Sequence, residues 1–199
     1  MTDPDYFALV ELRALPQMGD ATKYGDDRCL AAAAYVTGIV EREVGTAFVT
    51  RTVTAEIHDG GTTEIVLEQP YARAVTAMTV DGTSLDVSEL VVQDGIVRRV
   101  VGGVAESFAS GVGNVSVTYT YCYSTTPPAD LKEAALKGTR AHLLATDSNS
   151  AIDDRRTSMT NELGTISYVV AGEDRPTGYP EVDATIVAWR DRLDVFGFA

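Results

Sequence analysis

The chain has 199 residues, of which 45% are apolar and 23% are charged. This length and apolar fraction predict a globular protein with a sizeable core and argue against intrinsic disorder. There are 16 Lys and Arg against 29 Asp and Glu, so the formal net charge is −13. Proteins that read nucleic acid cluster Lys and Arg against phosphates, whereas the longest basic run here is Arg155-Arg156. The composition therefore argues against sequence recognition of DNA or RNA and against binding to an anionic membrane.

The sequence indicates no membrane span, no secretory signal and no paired cysteines. No stretch approaches the ~18 consecutive apolar residues of a transmembrane helix. The acidic start MTDPDYF lacks the basic and apolar regions of a secretory signal, so we expect synthesis in the host cytoplasm. Cys29 and Cys122 stand far apart and form no CxxC pair, which indicates neither a zinc site nor a disulfide framework.

The first 47 residues are predicted to be helical. A short helix over residues 5–15 ends before Pro16, and Asp26 is the expected N-cap of a second helix that runs to about Val44. Gly45 then supplies the left-handed residue that commonly ends a helix. Apolar residues mark one face of this second helix at three- and four-residue steps: Leu30, Ala33, Val36, Val40 and Val44.

From Phe48 the apolar period changes to two, which predicts strands. The alternate residues Val49, Arg51, Val53, Ala55 and Ile57 are expected on one face. The predicted turn His58-Asp59-Gly60-Gly61 leads into a returning strand over residues 63–67. Hairpin signals at Asp81-Gly82 and Asp94-Gly95 separate further strands, at residues 75–80, 90–92, 96–101 and 115–123. Residues 48–124 are therefore predicted to form an inserted antiparallel β-module.

The rest of the chain returns to helix. A helix is predicted over residues 127–146, followed by a long polar loop at residues 147–178. The final helix begins near Pro180, and its apolar seam has close to heptad spacing: Val182, Ile186, Trp189, Leu193 and Phe196. The predicted fold class is α+β. Residues 1–47 and 125–199 build one helical bundle from both ends of the chain, and residues 48–124 form the β-module between them.

No arrangement of residues predicts catalysis. His58 is expected to be a solvated turn residue and His142 a core or interface residue, and neither has a partner at metal-ligand spacing. Gly111-Val112-Gly113 lacks the third glycine of a dinucleotide motif and lies between strands, so we interpret it as a turn. We predict a protein that is not an enzyme and has no catalytic residue, no metal and no cofactor.

An ordered series of short motifs gives a more specific indication. The motifs are Tyr35-Val36-Thr37-Gly38-Ile39-Val40-Glu41, Gly45-Thr46-Ala47-Phe48, Leu67-Glu68-Gln69-Pro70, Val80-Asp81-Gly82, Gly113-Asn114-Val115-Ser116-Val117-Thr118-Tyr119, Pro128-Ala129-Asp130-Leu131-Lys132 and Thr177-Gly178-Tyr179-Pro180-Glu181-Val182-Asp183. In this order, the chain resembles the head-to-tail adaptor (connector, head-completion) proteins of tailed bacteriophages over nearly its whole length. One position departs from the family pattern: Cys122 stands where a glycine commonly precedes the second tyrosine, and a positive φ there would be strained.

The resemblance implies a structural protein of the virion. Such adaptors assemble as a homo-oligomeric ring, typically twelve-fold, beneath the portal. They bridge the portal to the next neck or tail protein, and DNA passes through their channel without sequence recognition. The resemblance also implies portal or inter-subunit contacts in two regions, the loop at residues 152–170 and the helix and tail at residues 180–199. Within these regions the expected contact residues are Arg155, Arg156, Tyr168, Trp189, Phe196 and Phe198.

One alternative remains open at this point. A phage accessory protein that binds through the loops of its β-module, without forming a ring, would have the same composition and elements. A hydrolase that uses Asp or Glu is disfavoured because no paired general acid and base can be located. If the acids of a ring faced its channel, they would repel DNA, which leads to the hypothesis that they reduce sticking during passage.

Overall fold

The computed structural model describes residues 6–146, 158–161, 164–167 and 176–194. Its elements form two compact units, one from Met1–Gly45 with Thr126–Ala199 and the other from Thr46–Thr125. The predicted α+β class, a helical bundle with an inserted antiparallel β-module, is confirmed. The helices of the first unit are α1 Leu9–Arg13, α2 Asp26–Val44, α3 Ala129–Ala145 and α4 Pro180–Asp194.

Helix α2, like α3, packs against the other three helices. It ends as expected at Gly45, whose φ of 80° allows its N–H to close the last turn on Glu41. Its start differs from the prediction, because Gly25 is the N-cap and no side chain caps the helix. The Asp26 carboxylate instead binds the guanidinium of Arg13, which ties α2 to α1. The first predicted helix, over residues 5–15, is also shorter in the structure, where α1 covers only Leu9–Arg13.

Small residues set the spacing of the helices. Gly138 of α3 lies where a Cβ atom would come 2.9 Å from Cγ1 of Val36 on α2 and 3.7 Å from the methyl groups of Val182 on α4. Ala32 and Ala33 of α2 are also buried. The absence of larger side chains at these positions lets the three helices approach closely.

The β-module contains two antiparallel sheets. The first has the order β1-β8-β3-β4, and the second has the order β2-β6-β5 with β7 paired to β6. Residues of both sheets form one core cluster, so the sheets face each other across it. The strands are β1 Arg51–His58, β2 Glu64–Val66, β3 Ala72–Val80, β4 Thr83–Ser84, β5 Leu90–Gln93, β6 Ile96–Val101, β7 Val104–Glu106 and β8 Val115–Tyr121.

The turns at Asp81-Gly82 and Asp94-Gly95 join β3 to β4 and β5 to β6 as predicted, with both residues of each turn at positive φ. The first predicted hairpin is wrong. Strand β1 pairs with β8 and not with β2, because β2 belongs to the second sheet and pairs with β6. The residues of the turn at 58–61 indicate that the chain reverses, but they do not determine which strand β2 pairs with.

A β-bulge in β1 changes which residues face the core. The register slips between Val53 and Glu56, and Ala55 adopts a φ of 56°. Because the bulge inserts one residue, the alternation reverses after it, so Glu56 and His58 turn inward while Ile57 is 59% exposed. The prediction that Ala55 and Ile57 share a face with Val53 is therefore wrong.

The two ends of the β-module lie next to each other. The backbone N–H of Tyr123 donates to the carbonyl of Ala47 at 2.8 Å, and the Phe48 and Tyr123 rings lie 5.6 Å apart. Cys122, the residue before Tyr123, is buried and does not have a positive φ. The backbone strain that a non-glycine residue would suffer at a positive φ is therefore absent here.

Within the polar segment 147–178, the structure describes two short strands, β9 Ser158–Asn161 and β10 Gly164–Ser167. They pair antiparallel as a two-stranded sheet, with Thr165 opposite Thr160 and Ile166 opposite Met159. The described part of this segment is therefore a β-hairpin, where the sequence analysis predicts a loop.

The close approach at Gly138 leads to a testable prediction. We expect Gly138→Leu to destabilise the protein by about 1–3 kcal/mol, because the new side chain would overpack the contact among α2, α3 and α4. Gly38 of α2 is the matched control, since a Cβ atom there meets nothing within 4 Å. Gly38→Ala should stabilise by about 0.5–1 kcal/mol through helix propensity alone. Urea unfolding followed at 222 nm measures both changes, and equal stability of the two variants would contradict the packing argument.

Candidate assembly surfaces

Helix α4 is anchored on α3 through a tryptophan. Trp189 is 7% exposed, and its indole N–H donates to Oδ2 of Asp130 at 2.8 Å. The guanidinium of Arg192 lies 4.9 Å from the indole ring centroid, in a cation–π contact. Asp130 also accepts the backbone N–H of Leu131 through Oδ1. These contacts fix the rotation of α4, so its outward side presents a defined surface.

Three residues of the seam predicted for the final helix are buried, namely Val182, Ile186 and Trp189, whereas Leu193 is only half-buried. Trp189 therefore contacts the bundle of its own unit. The other expected contact residues, Arg155, Arg156, Tyr168, Phe196 and Phe198, lie outside the described residues, so their roles stay predictions.

The start of α4 is held by a buried carboxylate. Oδ1 of Asp183 accepts the backbone N–H of Thr177 at 2.9 Å and also the hydroxyl of Thr177. Asp183 is 4% exposed, and its Oδ2 has no hydrogen-bond partner. An unpaired buried carboxylate oxygen is costly. The sequence analysis missed this residue because Asp183, in the first turn of a helix, has the pattern of an ordinary solvated acid.

The two histidines have different surroundings. His58 is not a solvated turn residue, because it ends β1 and its Nε2 lies 2.7 Å from Oε1 of Glu56. His142 of α3 lies against the ring of Tyr35 of α2, with the centroids 4.7 Å apart. Burial, with a smaller effect from the positive charge of Arg28, holds the pKa of His142 below the ordinary value of histidine.

Glu56 joins the two sheets of the β-module. Its side chain is 11% exposed, and it accepts the hydroxyl of Tyr119 through Oε2 and the backbone N–H of Glu68 through Oε1. Tyr119 belongs to β8, and Glu68 follows β2, so one carboxylate binds groups of both sheets. Burial and then the hydrogen bond to Glu56 raise the pKa of Tyr119 far above its usual range, so this hydroxyl remains a donor.

One end of the β-module is a tightly built loop cluster. Asn114 accepts the N–H of Gly60 through its side-chain oxygen and donates to the carbonyl of Ala109 and to Asp81. A Cβ atom at Gly60 would lie 1.9 Å from the Ala109 carbonyl oxygen, so only glycine fits there. This scaffold holds Val112 93% exposed at its tip. Among the described residues, no other large apolar side chain is as exposed.

The outward face of the first sheet is uncharged where its strands pair in register. The core residues of β8 alternate with outward ones, and the same alternation identifies the outward residues of β1 and β3. The outward residues in the paired register are Thr52, Ile57, Ala74, Ala77, Thr79, Ser116, Thr118 and Thr120, whereas the exposed residues Thr54, Ala55, Arg73 and Thr76 lie in the bulges of β1 and β3. Such a face in a chain of net charge −13 is a surface on which another acidic protein can pack without like-charge repulsion.

Sites of other kinds are not found in the described residues. Over residues 6–146, 158–161, 164–167 and 176–194, no three His, Cys, Asp or Glu side chains are placed to hold a metal ion. None of the described helices combines the length and apolar character needed to cross a bilayer.

Comparison with known proteins identifies similar folds only among solved structures. No protein-family model and no curated protein matches the chain. A chain in the neck of the empty gene transfer agent (GTA) particle, computed with C6 symmetry, is 16% identical with a TM-score of 0.53 over 96% of this chain and 92% of that chain. A chain in the virion of the native GTA particle is 15% identical, with the same coverage and TM-score. A chain in the native GTA neck computed with C12 symmetry is 16% identical over 96% and 95% of the two chains, with a TM-score of 0.48. The chain therefore shares a fold with proteins of these particles over nearly its whole length.

The Glu56 network makes a prediction about stability. Glu56→Ala removes the acceptor of a buried tyrosine hydroxyl and of a backbone N–H, and we expect a loss of about 2–4 kcal/mol. Glu64→Ala is the control, because Glu64 of β2 is a half-exposed partner of Arg98 and should cost about 1 kcal/mol at most. Denaturant unfolding with hydrogen exchange of the β8 amides measures the difference. A Glu56→Ala variant as stable as the control would show that the carboxylate does not hold the sheets together.

The environment of His142 predicts a dependence on pH. Because the folded-state pKa is lowered, the unfolded chain binds more protons at this ring below about pH 6.5. Helix stability should therefore fall as the pH is lowered from 7 to 5.5. His142→Phe keeps a ring against Tyr35 and should flatten this part of the profile. Melting followed at 222 nm across the pH range tests the effect, and parallel profiles for the two proteins would contradict it.

Proposed function

We propose that this chain is a structural neck protein of a phage-like particle, a head-to-tail adaptor that forms a ring beneath the portal. One observation supports the proposal above the others: a chain with this fold lies in a particle neck computed with C6 symmetry. The ordered motifs that resemble phage adaptors support the same function independently. In this proposal the protein acts in the virion as a structural component and not as an enzyme.

The proposed assembly is a closed ring, with twelve copies as the expected number. A closed twelve-membered ring repeats one head-to-tail interface and contains sixfold symmetry as a subset of its twelvefold symmetry. The ring would join the portal to the next neck or tail protein and let DNA pass without sequence recognition. The excess of 13 negative charges per chain disfavours adhesion of DNA to such a channel.

We also propose that the segments beside α4 make the portal or inter-subunit contacts. Trp189 and Asp130 fix α4 on its bundle, so the C-terminal extension after Asp194 is attached to an anchored helix. Phe196 and Phe198 lie in that extension, and Arg155, Arg156 and Tyr168 lie in the segment before it. Apolar aromatic side chains and arginines are the residue types enriched at the centres of protein interfaces.

A second function has a specific observation in its favour. Val112, 93% exposed on the loop cluster around Asn114, would suit an accessory protein that binds through its β-module and forms no ring. Such a protein would bind its partner through this loop and remain a monomer or small oligomer.

The native mass of the protein, alone and mixed with a portal protein of the same particle, distinguishes the two functions. The adaptor should form a large ring, or should bind the portal ring at a fixed ratio. A chain truncated after Asp194 keeps α4 and serves as the matched variant, with weaker portal binding expected because it lacks both phenylalanines. Val112→Ser is the control, since it should leave portal binding unchanged. A monomer indifferent to the portal would refute the adaptor function, and a partner interaction lost in Val112→Ser would support the accessory one.

A further inference from the structure

Hairpin β9–β10 is an incomplete β-structure in the described part of the chain. It is a two-stranded sheet, and neither strand joins the four-stranded sheets. Two strands alone are at best marginally stable in water, whereas a third strand or a packed face stabilises them. The backbone groups along the outer edge of the hairpin can therefore pair with a strand of another sheet.

Strand β1 offers an edge to which such a hairpin can add, because it pairs with β8 on one side and with no other described strand. It is the last strand of its sheet and has eight residues, whereas β4 at the opposite edge has two. Directly after β8, the N–H of Cys122 donates to the carbonyl of Tyr71, which precedes β3, and the N–H of Tyr123 donates to that of Ala47, which precedes β1. Successive residues along β8 therefore alternate between these two sides. By this alternation and the register of β1, the backbone groups of Thr52 and Ile57 point away from β8 to the open edge.

Charge favours contact between these two elements. The eight residues of β9 and β10 include no charged residue. The outward residues of β1, such as Thr52, Thr54 and Ile57, are also uncharged. Two copies can therefore pair along these outward residues without like-charge repulsion.

The hairpin is joined to the helical unit by connecting stretches of appreciable length. The stretches between the hairpin and Thr146, the residue after α3, and between the hairpin and Pro176 contain 11 and 8 residues. Their extended lengths are at most about 36 and 26 Å, comparable to the width of a small domain.

We propose that hairpin β9–β10 of one copy adds to the β1 edge of a second copy and extends its first sheet from four strands to six. This is strand addition, in which backbone hydrogen bonds supply the affinity. The inference rests on the proposed ring and assigns its inter-subunit contact. Because the donor and the acceptor are different surfaces of the chain, the contact is head-to-tail and can repeat around a ring.

Proline at the outward-facing position tests the acceptor edge. Thr52→Pro removes an outward N–H while leaving the ladder to β8 intact. Ser84→Pro is the matched control at the opposite edge, since the register of β4 points that N–H outward as well. Native mass over a concentration series should show that Thr52→Pro raises the concentration for half-assembly by about tenfold or more. Ser84→Pro should assemble like the unchanged chain. Equal assembly of Thr52→Pro would overturn the proposal.

Crosslinking tests the donor and does not depend on tolerance of proline. Chains with Thr165→Cys and differently tagged chains with Thr52→Cys are mixed, assembled and treated with a short bismaleimide. The native cysteines Cys29 and Cys122 are buried and remain in place. A crosslink between the two kinds of chain, absent when Ser84→Cys replaces Thr52→Cys, supports the proposal. Crosslinks only within one chain, or none, overturn it.

These outcomes are distinct from failure of the proposed function. A chain that never assembles, with or without the portal, overturns both the ring and this contact. A ring that forms without the crosslink and despite Thr52→Pro overturns the contact alone.

Discussion

The β-module depends on one carboxylate that a backbone irregularity turns inward. Without the bulge at Ala55, the strict alternation of β1 would direct Glu56 to solvent and Ile57 to the core. With the bulge, Glu56 binds Tyr119 in one sheet and Glu68 beside the other. A buried charge is tolerated only where its hydrogen bonds are made, so this network permits one register of β1 and disfavours the slipped alternatives. The same strand is the last in its sheet, and its outer edge is the edge to which we assign the contact between copies.

The helical unit is held together differently, by close approach and not by a buried network. Gly138 allows α2, α3 and α4 to meet, and the hydrogen bond from Trp189 to Asp130 fixes the rotation of α4. Charged groups join the helices at the periphery, as Lys132 of α3 does with Glu11 of α1 at 2.7 Å. A tightly packed bundle suits a protein whose terminal segments are proposed to bind partners, because the contacts then extend from a rigid base.

The sequence predicted those elements that local chemistry specifies. Helix α2 and its end at Gly45, strand β6 and the two Asp-Gly turns follow from periodicity and from residues that tolerate positive φ. Strand partners were not predictable in this way, since the pairing of β1 with β8 joins residues more than fifty positions apart. The burial of the Glu56 side chain could not be predicted either. It depends on the positive φ of Ala55, and alanine is not a residue type that indicates a positive φ. Among the candidate contact residues only Trp189 lies in the described part of the chain, and its burial followed from the heptad-like seam.

The hydrogen bond between Tyr123 and Ala47 brings the two ends of the β-module together. The helical unit is thus interrupted by a segment that leaves and returns at almost one point. A segment with adjacent ends can be lengthened, shortened or exchanged for another folded insert without changing the length that its host must bridge. Evolution can therefore vary the module separately from the bundle, and an engineer can use the same position to insert a foreign domain.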